Sequence, residues 1–270
     1  MIPKVNFCGV ELSRLVAGGN QISGISHISP QKDQEMEDYF NAENTKKMLH
    51  RCEELGINAV QMRGDKHIMR LLREFRLEGG NLHWIGMGAR ELASFENNIN
   101  QMSGMKPSLL FLQGVSTDEL YHAGEFDEII RRLEVMRKTG IPTGLATHMP
   151  EVIEYAESHN FNADFYMCCV YNISVPERQK LWYSTGNEDH CFVESDIPLM
   201  YQAIRSVDKP CLAFKILGSS RRCESQESVA AAFKECFDSI KENDVAVVGM
   251  YPKDIDQVAL NVEHALNAIN

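Results

Sequence analysis

Three observations predict a single (β/α)8 TIM barrel for this sequence. Short, continuous apolar runs recur along the chain, as in parallel strands buried on both faces. They alternate with segments whose apolar residues return every three or four positions, the period of an amphipathic helix. The length, 270 residues, is close to the roughly 250 that one such barrel takes. One domain over residues 1–270, with a β-hairpin at its N-terminus, is therefore expected. A doubly wound open sheet is the competing architecture.

The elements follow in order. Residues 4–12 read as the hairpin, with Gly9 near its turn, and Leu15-Val16-Ala17 as the first barrel strand. The glycine-rich loop from Gly18 to His27 comes next, on the face where barrel enzymes build their sites. A helix over 44–55 buries Met48, Leu49, Cys52 and Leu55, and strand two covers 58–62. Ile68, Leu71, Leu72 and Phe75 mark the next helix, before strand three at His83-Trp84-Ile85-Gly86-Met87. Its helix carries Leu92, Phe95, Ile99 and Met102. Strand four is Leu109-Leu110-Phe111-Leu112, and a helix from near Glu125 stops at Gly140, a residue suited to a helix C-terminus. Strand five (143–146), a helix from Pro150 and strand six (165–170) complete the central βαβαβ unit. Residues 173–195 read as a long irregular stretch, a lid, binding loop or site wall. A helix near 196–206, strand seven (211–215), a helix with Val229, Phe233, Cys236, Phe237 and Ile240, strand eight (245–250) and a helix with Val258, Val262, Leu266 and Ile269 finish the count. That makes eight strands and eight helices.

Composition narrows the function. The formal net charge is −11, with no basic cluster longer than a short pair such as Arg221-Arg222, so nucleic acid is not an expected partner. No apolar run approaches the roughly 20 residues that span a bilayer. Met1-Ile2-Pro3-Lys4 opens no apolar signal region. A cytoplasmic protein is expected, with a small-molecule ligand and a homo-oligomer as an open option. The eight cysteines include no CxxC pair and read as reduced core thiols. Cys168 and Cys169 face opposite ways on their strand, so at most one reaches the barrel interior.

Several stretches, taken together, resemble the aldo-keto reductase superfamily over most of the chain. They are Ser13-Arg14-Leu15-Val16, Gly56-Ile57-Asn58, Ser108 to Leu112, Gly140 to Leu145, Tyr171-Asn172, Ala213 to Gly218, and Gly249 with Gln257, Val258 and Asn261. The resemblance implies an aldo-keto reductase-like barrel and an oxidoreductase using NADP. Phe214 would then stack on the nicotinamide, with Ser219, Arg221 and Lys253 holding phosphate. The family's Asp, Tyr, Lys and His are replaced: Gln61 stands at the Asp position, Lys66 near the Tyr, Gly86-Met87 at the Lys and Gln113 at the His. Hydride transfer by the family's usual proton donor is therefore not expected.

The residues themselves offer other chemistry. Arg63-Gly64-Asp65-Lys66-His67 is the densest polar cluster at a strand end. Asp65 and His67 can serve as base and acid or as metal ligands, or simply cap the next helix. His148 directly follows strand five as a site histidine or a rim histidine bonded to backbone, and His27 sits in the first loop. Convergence of His27, Asp65, His67 and His148 would make a divalent-metal site. Lys215 ends strand seven among apolar residues. It suits a desolvated base, a Schiff-base amine or a cation for a substrate anion, or a buried partner for an acid such as Asp65. Asn20, Arg63, Gln113 and Tyr171 are candidate substrate contacts at strand ends. Three functions remain: acid-base or metal-assisted chemistry on a small sugar-like or phosphorylated metabolite, an NADP-dependent oxidoreductase of altered mechanism, and a non-catalytic ligand-binding barrel.

Overall fold

The computed structural model describes residues 1–269 and closes eight parallel strands into a barrel. An antiparallel hairpin, β1 (Lys4–Phe7) and β2 (Val10–Ser13), precedes it. The barrel strands are β3 (Leu15–Gly18), β4 (Ala59–Arg63), β5 (His83–Met87), β6 (Leu109–Leu112), β7 (Thr143–Thr147), β8 (Phe165–Cys169), β9 (Cys211–Phe214) and β10 (Val245–Gly249). Closure is explicit in the register: Ala246 of β10 lies opposite Ala213 of β9 on one side and Leu15 of β3 on the other. The open-sheet alternative is thereby removed.

Alternation along the strands sorts their side chains into two cores. Val16, Ile85, Leu109, Phe165, Met167 and Val247 pack inside the barrel. Trp84, Leu110, Leu145 and Tyr166 face outward, into the layer under the helices. The hairpin closes the N-terminal end. Phe7 and Leu12, both fully buried, join the interior cluster, and the Phe7 ring meets Phe165 edge-on at 5.4 Å. Burying a side chain of that size contributes about 1.5–3 kcal/mol.

Eleven α-helices occur among the described residues, three more than the sequence periodicity gives. Eight match: α2 (Ala42–Glu54), α3 (Lys66–Leu77), α4 (Phe95–Gly104), α6 (Phe126–Arg137), α7 (Pro150–Ser158), α9 (Ile197–Ser206), α10 (Gln226–Ser239) and α11 (Gln257–Ile269). The additional ones are α1 (Pro30–Tyr39), α5 (Gly114–Ala123) and α8 (Pro176–Thr185). The expected irregular stretch 173–195 thus contains a helix and short 3-10 turns at Asp189–Cys191 and Glu194–Asp196. None of the three shows an apolar stripe. α1 buries Met36 alone, α5 buries Gly114, Ser116, Thr117 and Asp118, and α8 buries nothing. No helix among the described residues is long and apolar enough to cross a membrane.

Candidate active site at the barrel mouth

The C-terminal ends of β3, β9 and β10 open on a cavity of about 470 Å³. Gln61, Met167, Phe214 and Val247 form its floor in the barrel mouth. Its wall runs outward past Asn20, Gln21, His27, Lys215 and Ser219 to Gln226 of α10 and Asn261 of α11. Two glycines let the first loop cross the mouth. A Cβ at Gly19 would stand 2.5 Å from the Gln61 carbonyl oxygen, and one at Gly249 would overlap the Gln21 side chain. Gln61 is 5% exposed and its side chain makes no hydrogen bond among the described residues, so its side-chain amide is available to a ligand.

Lys215 lies one residue beyond β9 rather than within it, in left-handed backbone with φ 62°. Its Nζ donates to His27 Nε2 at 2.5 Å, and His27 Nδ1–H donates to Glu188 Oε2 at 2.7 Å. The partner of Lys215 is therefore a histidine, not Asp65. His27 is left-handed too, with φ 59°. Such backbone costs a non-glycine residue about 1–2 kcal/mol, and its concentration at one contact is typical of functional sites. Burial in this wall lowers the Lys215 ammonium to about 8. Desolvation first, then the Lys215 charge, lowers His27 to about 4, against the opposing pull of Glu188. At neutral pH His27 is thus a neutral imidazole that accepts from lysine and donates to carboxylate.

The segment after α8 covers this chain of contacts. Phe192 packs against Tyr171, with ring centroids 5.2 Å apart. Lys215 Nζ stands 5.5 Å from the Phe192 ring, and the Arg221 guanidinium lies 3.8 Å from the same ring. Arg221 also binds Asp189 and donates to the His27 carbonyl oxygen at 3.0 Å. It stitches the first loop to the segment after α8, and its charge is already matched.

A second polar cluster stands beside the first. His148 Nδ1–H donates to Asp118 Oδ2 at 2.7 Å, with both side chains buried. Asp118 also accepts from Thr147 Oγ1 and from Ser174 Oγ at 2.6 Å. These bonds orient the imidazole through Nδ1 and leave Nε2 without a hydrogen-bond partner among the described residues. His148 borders a smaller hollow of about 280 Å³ between α7 and α9. Its ring edge meets Phe214 at 5.7 Å, and Phe214 in turn lines the main cavity.

The other expected residues fall as follows. Asn20, His27, Phe214, Lys215 and Ser219 line the main cavity. Asp65 caps α3, accepting from the Ile68 backbone N–H at 2.9 Å, and His67 is exposed on that helix. Arg63 pairs with Glu91 and Asp65, outside the cavity wall. Gln113 begins α5 with a buried, unpartnered Oε1. Tyr171 is buried beneath Phe192, and desolvation raises its hydroxyl to about 12. Lys253 is exposed and lies outside the wall. Among the described residues no group of three or more His, Cys, Asp or Glu side chains could hold a metal ion. The four expected metal ligands therefore do not assemble; three of them serve other contacts, His27 to Lys215, His148 to Asp118 and Asp65 to the Ile68 N–H. Glu188, Asp118 and Phe192 escape sequence reasoning, since each acts through a partner far along the chain.

No protein-family model matches the chain, and no curated protein matches it. Solved structures do match in fold. A truncated 3-deoxy-D-arabino-heptulosonate 7-phosphate synthase from Thermotoga maritima aligns with a TM-score of 0.57 at 13% identity, over 98% of this chain and 90% of that one. Dihydropteroate synthase from Yersinia pestis gives 0.54 at 11% identity, over 99% and 98%. The BexX/CysO complex from Amycolatopsis orientalis gives 0.54 at 11%, over 100% and 95%. At such identities the likeness establishes the barrel and nothing finer.

Proposed function

We propose that the chain is an enzyme of polar, acid-base chemistry acting on a small polar metabolite bound in the mouth cavity. The Lys215–His27–Glu188 chain carries this reading: an amine lowered toward neutrality, held by a neutral imidazole, on the wall of a ligand-sized cavity. Lys215 supplies positive charge or a free amine, Gln61 supplies an unpaired amide, and the His148–Asp118 pair stands behind Phe214 as a second proton-transfer group. A sugar-like or phosphorylated substrate suits this set. Two of the structurally similar proteins are synthases by name, which agrees with a metabolic enzyme.

A metal-free form is favoured, because the candidate ligands His27 and His148 are engaged by Lys215 and Asp118. A second reading keeps the aldo-keto reductase-like subtype and NADP. It draws on the outer wall, where Ser219, Ser220, Gln226, Gln257 and Asn261 line one side of the cavity beside Phe214. Against it, Arg221 is matched by Asp189 and Lys253 lies outside the wall. Titration with NADPH decides between the two: nicotinamide fluorescence that changes on binding favours the second.

The primary test is a panel of free and phosphorylated sugars and small hydroxy acids, read by turnover and by ligand-induced rise in Tm. At least one member is expected to act on the wild type and to lose its effect in Lys215→Met and Gln61→Leu. It should keep its effect in the surface variant Lys234→Ala. Equal responses from all three variants would overturn the assignment of the site.

A further inference from the structure

We infer that Lys215 is a carbonyl-condensing lysine: its Nζ forms an imine with an aldehyde or ketone substrate, and His27 with Glu188 moves the protons. This rests on the reading of the mouth cavity as the active site and names its substrate class.

The geometry supplies what the step needs. Lys215 lines the cavity, and so does His27, the residue that its amine contacts. Nζ has one side-chain partner, the imidazole nitrogen 2.5 Å away, and no carboxylate that would hold it as a cation. Phe192 lies over the amine at 5.5 Å and removes water from one side. Left-handed backbone at both Lys215 and His27 holds the two groups in register. Three other residues of the same loop, Gly218, Ser219 and Ser220, are left-handed as well, so the chain turns sharply to present this amine. The lowered Lys215 value adds to the geometry: near pH 8 about half the amine is free, roughly a hundredfold more than for an ordinary lysine.

The proton balance closes without any added reactant. At rest Lys215 is an ammonium, His27 carries its proton on Nδ1 and Glu188 is a carboxylate. As the ammonium gives a proton to His27 Nε2, the Nδ1 proton passes to Glu188. The imidazole changes tautomer and stays neutral, in keeping with its resistance to protonation. The free Nζ lone pair adds to the carbonyl carbon, the C=O π pair moves to oxygen, and a proton shifts from nitrogen to that oxygen. The carbinolamine C–O bond then breaks, with His27 Nε2–H protonating the departing hydroxyl. Water leaves, Glu188 returns its proton to Nδ1, and a cationic C=N bond remains on Lys215. One carbonyl and one ammonium have become one iminium and one water. Nothing is oxidised or reduced.

The test uses the full chain with glyceraldehyde and, separately, pyruvate as probes, each with cyanoborohydride at pH 8, followed by peptide mass mapping. The expected result is a reduced adduct on Lys215 that accumulates at least roughly tenfold faster than on any other lysine, given the larger free-amine fraction. His27→Asn and Glu188→Gln should slow adduct formation at Lys215 and leave the slow labelling of surface lysines unchanged. Lys215→Met, checked for native circular dichroism, should lose the fast site. Label spread evenly over surface lysines in the wild type would overturn the inference. So would full turnover by Lys215→Arg, which keeps the charge but cannot condense. Absence of the adduct together with loss of turnover in Lys215→Met would overturn the imine while leaving the acid-base reading intact.

Discussion

The two ends of the barrel are built from the same eight strands and treat water in opposite ways. At the N-terminal end the hairpin presses Phe7 and Leu12 into the apolar interior of the barrel. At the C-terminal end the strands stop at Gly18, Thr147, Phe214 and Gly249, and the loops beyond them bring in Lys215, His27, Glu188, His148 and Asp118. One end contributes to stability through buried area. The other holds a desolvated amine, a half-buried histidine and a buried one, each of which costs free energy. Left-handed non-glycine backbone occurs at both ends, at Cys8, Lys106, Asn160 and Asn162 before the strands and at His27, Lys215, Ser219 and Ser220 beyond them, but only at the mouth does it present a desolvated amine to a cavity.

That contrast predicts a ranking of effects. Phe7→Ala should cost the most stability, about 3–5 kcal/mol in urea unfolding, because the plug cannot collapse onto a cavity of that size. It should leave labelling of Lys215 unchanged; a loss of labelling would mean that the two ends are coupled. Asp118→Ala should come next, at about 1–3 kcal/mol, since Thr147, His148 and Ser174 lose a shared acceptor in a buried place. An unchanged midpoint would show that these groups find other partners.

How much of this was legible in the sequence differs between the ends as well. The strands announce themselves because each is a continuous apolar run, and the hairpin is legible before Leu15, but that it plugs the barrel emerges only from the packing of Phe7 and Leu12. Lys215 stood out as a charge at the end of such a run. Its partner did not. Glu188 lies 161 residues from His27, in a stretch with no periodic pattern. Asp118 sits on α5, whose buried face is Ser116, Thr117 and Asp118, so apolar periodicity has nothing to detect there. A signal for α1 and α8 was present in the proline at the first helical position of each, Pro30 and Pro176, with Ser29 capping the former. Asp65 and His67 follow a strand and read as catalytic or as helix-capping; the carboxylate caps α3 through the Ile68 N–H, and the imidazole is turned to solvent.

The remaining tests concern the mouth and are smaller. His27 is lowered to about 4 in the fold and titrates near 6.5 when unfolded. Between those values the unfolded chain binds more protons, so stability should fall as pH drops from about 6.5 to about 4. The expected loss is about 1–2 kcal/mol, discounted for opening of the Glu188 segment. His27→Gln should flatten that slope, and an unchanged slope would assign it to other groups. Lys253→Ala, an exposed side chain outside the cavity, should change stability by less than about 0.5 kcal/mol.

Titration of the Lys215 amine itself tests the central claim most directly. Reductive methylation with 13C-formaldehyde, followed by NMR of the labelled dimethyl-lysines against pH, reads each amine separately, and Lys215→Met assigns the resonance. The buried contact with His27 predicts a midpoint near 8 for Lys215. A midpoint near 10.4, shared with the surface lysines, would contradict it.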